Sequence, residues 1–310
     1  ALNNLGNLYE KGQGVKNDFG KAKDFYEQSA ALGNSTALIN LGNLYKNGQG
    51  VKQDYFKAKE FYKKSAKLGN SDAFICLGDL YFKDKGFGQD YSKAKEYYQE
   101  SAELGNSDAL NILGNMYKNG QGVDQDILKA IELYEKSSEL GNSNALNNLG
   151  NMYNGQGVKQ DYSKAKSFYE KSSRLGNSSA FNYLGFLYEN GFGVKQDYSK
   201  AKDCYEKSSR LGNSHAFYYL GYMYENGKGV EINIQQAIFY YEQSSALGNS
   251  HALNNLGDLY YNGQGVEQDF SIAKEFYEKS AKLGNSNALN NLGDLYYNGQ
   301  GVEQDFSIAK

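Results

Sequence analysis

The sequence predicts an all-α chain, an α-α solenoid of stacked helix pairs. Three observations carry this reading. One segment restarts at Ala1, Ala37, Ala73, Ala109, Ala145, Ala180, Ala216, Ala252 and Ala288, its apolar residues recur at helical spacing, and proline is absent from all 310 residues. Proline makes up about 5% of an average chain, so its absence favours helices joined by glycine turns. A fixed repeat in this size range marks units that cannot bury an apolar face alone and must stack on their neighbours.

Residues 1–310 therefore read as one repeat domain without an internal boundary, grown by addition, with the last repeat incomplete. Because Lys310 falls partway through a repeat, a fragment of a longer protein is expected. The formal net charge of −3 lacks the basic excess that a phosphate backbone needs, so nucleic acid is not an expected partner. No run approaches the roughly 18–20 apolar residues of a membrane span, and the chain opens on repeat consensus, not on a targeting segment.

The first repeat shows each element in order. Ala1, Leu2, Leu5, Leu8 and Tyr9 form the stripe of an amphipathic helix, helix A, over about Ala1–Lys11. Gly12-Gln13-Gly14 ends it, because glycine tolerates the left-handed geometry that closes a helix. Asp18 stands where the second helix begins, and the same place holds Asp54, Asp90, Asp126, Asp161, Asp197, Asn233, Asp269 and Asp305, all N-cap residues. Helix B then carries Phe19, Ala22, Phe25, Tyr26, Ala30 and Leu32 on one face and ends at Gly33, with Asn34 and Ser35 read as a turn. Gly6 and its equivalents sit inside helix A, where glycine costs about 1 kcal/mol against alanine. The expected reason is close approach of helix B, with Ala22 and its equivalents facing the glycine.

These residues resemble the Sel-1-like repeat, a relative of the tetratricopeptide repeat with a longer loop between its helices. The matching parts are A-x-x-x-L-G-x-x-Y, the G-x-G-V loop, D-x-x-K-A and Y-x-x-S-A-x-L-G, and they cover essentially the whole chain. The resemblance implies a right-handed superhelix with helix A on its concave side, and a role as adaptor or scaffold for protein complexes. Two repeats depart from the pattern. Asp84 and Phe87 replace loop glycine and valine in the third, and one residue is missing before Gly155 in the fifth, so local loop changes with preserved stacking are expected.

On the tetratricopeptide comparison, the third, fourth, seventh and tenth positions of each repeat face the groove. They are mostly asparagine, among them Asn111, Asn115, Asn147, Asn148, Asn151, Asn254 and Asn255. An amide offers donors and an acceptor and can pair with an extended peptide backbone of any sequence. The bland alternative is that asparagine only fills the space between neighbouring helices. The sixth and seventh repeats break the ladder with Tyr183, Phe186, Tyr218, Tyr219 and Tyr222, expected to form an exposed patch of the kind that marks partner sites. Lateral packing between repeats is the competing account of these rings.

Catalytic chemistry is not expected. No repeat holds a nucleophile, base and orienting acid that set it apart from its neighbours, which weighs against a hydrolase of the kind reported for cysteine-rich relatives. Cys76 and Cys204 lie more than three repeats apart and are not expected to pair, and a reducing, cytoplasmic compartment follows. The sequons at Asn34 and Asn177 keep the lumen of the endoplasmic reticulum as an alternative. His215 and His251 read as turn residues, not metal ligands, and the G-x-G loops lack the strand and G-K-[ST] of a phosphate cradle. No cofactor is implied. The expected function is non-catalytic binding of a partner peptide or helix, with a ligand-free structural spacer as the alternative.

Overall fold

The computed structural model describes residues 1–305 and Ser307. These residues form seventeen α-helices and no strands. The first repeats supply α1 (Leu2–Lys11), α2 (Phe19–Ala31), α3 (Ser35–Asn47), α4 (Tyr55–Lys67), α5 (Ser71–Phe82), α6 (Tyr91–Glu103), α7 (Ser107–Asn119), α8 (Ile127–Glu139) and α9 (Ser143–Tyr153). The later ones supply α10 (Tyr162–Arg174), α11 (Ser178–Asn190), α12 (Tyr198–Arg210), α13 (Ser214–Asn226), α14 (Ile234–Ala246), α15 (Ser250–Asn262), α16 (Phe270–Lys282) and α17 (Ser286–Asn298). Odd-numbered helices are helix A and even-numbered ones helix B. Contacts divide the chain into two compact units, Ala1–Met152 and Tyr153–Lys310. Within each, consecutive helices pack on one another, from α1 through α8 and from α10 through α17, the arrangement of an α-α solenoid.

The helix starts follow from the caps. Asp18, Asp54, Asp90, Asp126, Asp161, Asp197, Asn233 and Asp269 each accept a backbone N–H of the first turn of helix B. Asp305 takes the same place, and the helix expected to follow it lies outside the described residues. The turn before helix A is shorter than expected. Asn34 is itself the N-cap, its Oδ1 accepting from Ala37 N at 3.0 Å, so Ser35 already lies in α3. By the same geometry His215 and His251 stand in the first turns of α13 and α15, not in turns between helices.

The glycine of helix A has a different partner from the one expected. A Cβ at Gly114 would lie 2.5 Å from the Tyr134 ring, and one at Gly185 would lie 2.5 Å from the Tyr205 ring. An aromatic ring, not the small Ala22-type side chain, therefore presses flat on the helix. Ala22 and Tyr26 are both fully buried, as are their equivalents. The tyrosine brings a hydroxyl into the core, and a buried hydroxyl needs a partner.

Two further contacts recur. The buried serine of helix B donates to the first carbonyl of its own helix A, as in Ser137 Oγ to Ser107 O at 2.7 Å and Ser244 Oγ to Ser214 O at 2.7 Å. The ninth-position tyrosine stacks on an aromatic ring of helix B, as in Tyr9 on Phe25 at 5.5 Å and Tyr260 on Phe276 at 5.7 Å. Its carbonyl accepts the N–H of the helix B cap, for example Asp126 N to Tyr117 O at 2.9 Å.

The two irregular repeats change in their loops and in the ends of the helices that lead into them. Asp84 adopts φ 47°, the left-handed conformation that glycine holds elsewhere, and Phe87 packs on Tyr81 and Phe56. In the fifth repeat α9 stops at Tyr153, earlier than its sister helices, while Asp161 N still reaches Tyr153 O at 2.8 Å.

Candidate functional site

The asparagines of helix A are bonded to one another and to the buried tyrosines. Tyr134 Oη donates to Asn115 Oδ1 at 2.8 Å. Asn148 Nδ2, one repeat later, donates to Asn111 Oδ1 at 2.9 Å and to Asn115 Oδ1 at 3.4 Å. The arrangement recurs where Asn40 donates to Asn3 and Asn7, with Tyr26 Oη on Asn7. It recurs again where Asn291 donates to Asn254 at 3.1 Å and Asp258 at 3.0 Å, with Tyr277 Oη on Asp258. A fourth-position amide thus ties its helix to the third and seventh positions of the preceding helix A.

Each expected amide can now be placed. Asn111, Asn115, Asn147, Asn148 and Asn255 are half-buried, whereas Asn151 and Asn254 are buried. Asn254 Nδ2 also donates to Asp258 at 2.9 Å, and Asn255 Nδ2 donates to Tyr241 Oη at 3.0 Å. Much of the hydrogen-bonding capacity expected to face a ligand is taken up within the chain.

In repeats six and seven the same positions hold rings. Tyr183 stacks on the buried Tyr169 with centroids 5.1 Å apart, and Tyr219 stacks on the buried Tyr205 at 4.9 Å. The fourth position therefore covers the core tyrosine with a ring face instead of reaching across with an amide. Phe186 lies 6.5 Å from Tyr219, and Tyr218 lies 5.4 Å from Tyr219, 6.5 Å from Tyr222 and 5.8 Å from Tyr241. Phe192 extends the cluster from Phe186 at 5.8 Å to Tyr162. All five expected rings are half-buried, so the cluster offers part of each ring where a fully exposed patch was expected. Burial, followed by its tyrosine neighbours, pushes the Tyr218 phenol up to about 12, which keeps it a neutral hydrogen-bond donor.

With an aromatic residue at the seventh position, the core tyrosine needs another acceptor. Glu189 supplies it: Tyr205 Oη donates to Glu189 Oε2 at 2.8 Å, and the carboxylate is only 5% exposed. Glu225 does the same for Tyr241 at 2.5 Å. Lys228 completes the first site, with Nζ 3.2 Å from Glu189 Oε1 and 4.6 Å from the Tyr222 ring centroid. The sequence reading missed these three residues. The signal was present in the joint change of two positions, since the repeats with an aromatic residue at position seven carry glutamate three residues later.

Neither cysteine is prepared for nucleophilic chemistry. Both thiols are free, and burial pushes each up to about 11. Among the described residues no cluster of histidine, cysteine or carboxylate side chains is arranged to hold a metal ion, and no helix is long and apolar enough to cross a membrane.

Stacked helix pairs of this repeating kind define a helical-repeat protein of the kind that mediates protein–protein interaction. The Sel1 repeat profile matches nine segments, residues 1–34, 35–70, 77–106, 107–142, 143–177, 178–213, 214–249, 250–285 and 286–310, and the chain belongs to the Sel1 repeat family. Proteins of this family are generally non-enzymatic interaction folds. Among solved structures, the chain is similar to a protective antigen with an SLR fold from uropathogenic Escherichia coli (33% identity, 99% of this chain and 74% of that one, TM-score 0.59). It is also similar to a Sel1 repeat protein from Oxalobacter formigenes, at 31% identity over 78% of this chain and 98% of that one, with a TM-score of 0.69. An immunity protein from Pseudomonas aeruginosa matches at 26% identity over 69% of this chain and 81% of that one, with a TM-score of 0.51. No curated protein matches the chain in sequence.

Proposed function

We propose that the chain is a non-catalytic adaptor that binds a partner peptide or helix on the helix A face of repeats six and seven. Tyr183, Phe186, Tyr218, Tyr219 and Tyr222 are the anchors, and Asn111, Asn115, Asn147, Asn148, Asn151, Asn254 and Asn255 on other helix A elements are polar contacts. The observation that supports this most is the appearance of five rings in two adjacent repeats at positions where repeats one, five, eight and nine carry paired asparagines. Half-buried tyrosines combine apolar area with a hydroxyl at low entropic cost, the composition of binding hot spots. Residues 1–310 act in this reading as one interaction module, and the scarcity of cysteine supports a cytoplasmic setting.

A structural spacer is the second reading, supported by the stacking of Tyr183 on Tyr169 and of Tyr219 on Tyr205. The two separate in a variant that carries Tyr183→Asn, Phe186→Asn, Tyr219→Asn and Tyr222→Asn, which restores the residue found at these positions in sister repeats. Affinity capture from the native source, followed by direct binding of each retained protein to both forms, is the measurement. The adaptor reading expects the partner to be lost from the variant while its melting temperature stays close to that of the parent. Unchanged capture with a large loss of stability establishes the spacer.

A further inference from the structure

Repeats four and six lack a helix B ring that the other complete repeats possess, and in repeat six, where Cys204 replaces it, Lys200 still covers Tyr188. In six repeats an aromatic side chain of helix B stacks on the ninth-position tyrosine, with centroids 5.5 to 6.0 Å apart. In repeat four Leu133 stands at that place, opposite Tyr117. The cation that covers the tyrosine elsewhere has also moved. Lys21, Lys57, Lys164 and Lys200 lie 5.1 to 5.5 Å from the rings of Tyr9, Tyr45, Tyr153 and Tyr188, but Lys129 turns to Glu132 at 2.9 Å. Tyr117 thus loses both of its usual partners.

An open depression of about 280 Å³ lies here between α6, α7 and α8. Leu110, Leu113, Leu133 and Tyr117 form its apolar lining, with Leu113 and Leu133 buried, and Glu103 and Lys129 also border it. Here the sister repeats state what fits: a single planar ring laid against the tyrosine. Such ring pairs contribute beyond the area they bury.

We propose that this depression binds a small aromatic molecule of phenol to indole size, stacked on Tyr117 in the place that phenylalanine or tyrosine holds in six other repeats. A polar substituent on the ring would point toward Glu103 and Lys129. The site is independent of the aromatic cluster of repeats six and seven.

Titration of the isotope-labelled chain with indole, followed by amide and methyl resonances, tests this. Saturable shifts confined to Leu110, Leu113, Tyr117 and Leu133 are expected. Leu133→Phe fills the depression and should weaken binding by at least about tenfold, a change of 1.4 kcal/mol, while raising the melting temperature. Phe61→Leu in repeat two recreates the vacancy and should produce a second set of saturable shifts around Tyr45. Shifts scattered over all repeats, no saturation, or binding unaltered in Leu133→Phe overturns the proposal; if that variant fails to fold, absence of the new site in Phe61→Leu does so.

Discussion

Repeats four and five and repeats six and seven use one backbone plan to satisfy the same buried hydroxyl in different ways. In the first pair Tyr134 donates to Asn115, which also receives the amide of Asn148. In the second pair the seventh position is aromatic and Tyr205 donates to Glu189, which is held by Lys228. The difference shows that the core demands an acceptor but does not dictate its source. Moving the acceptor one helical turn along frees the seventh position for aromatic residues. Surface chemistry can therefore change without altering the fold, provided that the glutamate arrives with the rings.

The strongest attack on this comparison strikes what the two regions share. Gly114→Ala and Gly221→Ala place a Cβ 2.5 Å and 2.6 Å from the Tyr134 and Tyr241 rings. Each should lose about 1–3 kcal/mol by overpacking, against only ~1 kcal/mol returned by alanine's helix propensity. Equal losses by chemical denaturation confirm the shared packing, and no loss at either site refutes it.

A smaller effect separates the regions. Glu189→Ala strands the Tyr205 hydroxyl and should cost about 1–3 kcal/mol, whereas Lys118→Ala at the same position of repeat four should be nearly silent. Adding Phe186→Asn to Glu189→Ala should recover part of the loss by rebuilding the acceptor of the amide repeats. A double-mutant cycle that shows additivity would sever the proposed link between positions seven and ten.

The smallest effect concerns Asp258, which replaces the amide in repeat eight. Burial holds its carboxyl above the ordinary carboxylate range, although the hydrogen bond from Tyr277 pulls the other way. With the folded pKa above the unfolded one, its favourable contribution is complete at low pH and is lost as the pH rises through the folded pKa. Asp258→Asn should thus raise the melting temperature slightly at pH 7, and the gain should vanish as the pH falls below the ordinary aspartate value of about 4. A gain that persists in acid would remove burial of charge as its cause.

The helices and the Asp18-type caps were legible in the sequence because they depend on spacing within a single repeat. The Gly6 partner was not: periodicity places both Ala22 and Tyr26 on the buried face, and only the packing of helix B on helix A decides which one meets the glycine. The asparagine bonds were hidden for a related reason, since Asn148 reaches Asn111 only through the offset between successive helix A elements. The aromatic residues of repeats six and seven stood out as departures from consensus, but their stacking on Tyr169 and Tyr205 required knowing which core side chain lies beneath the fourth position.

The bonds between successive helix A elements have a sense. Asn40 reaches back to Asn3 and Asn7, Asn106 to Ser71, Asn148 to Asn111, and Asn291 to Asn254, so the later member donates and the earlier accepts. A module of the amide-bonded kind carries one half of a coupling on its leading side and the matching half on its trailing side. Whole modules can consequently be inserted or removed with the coupling intact, a freedom reflected in the identity of residues 252–274 and 288–310. Reversing a module's direction would bring donor against donor, so the array can vary in length but not in polarity.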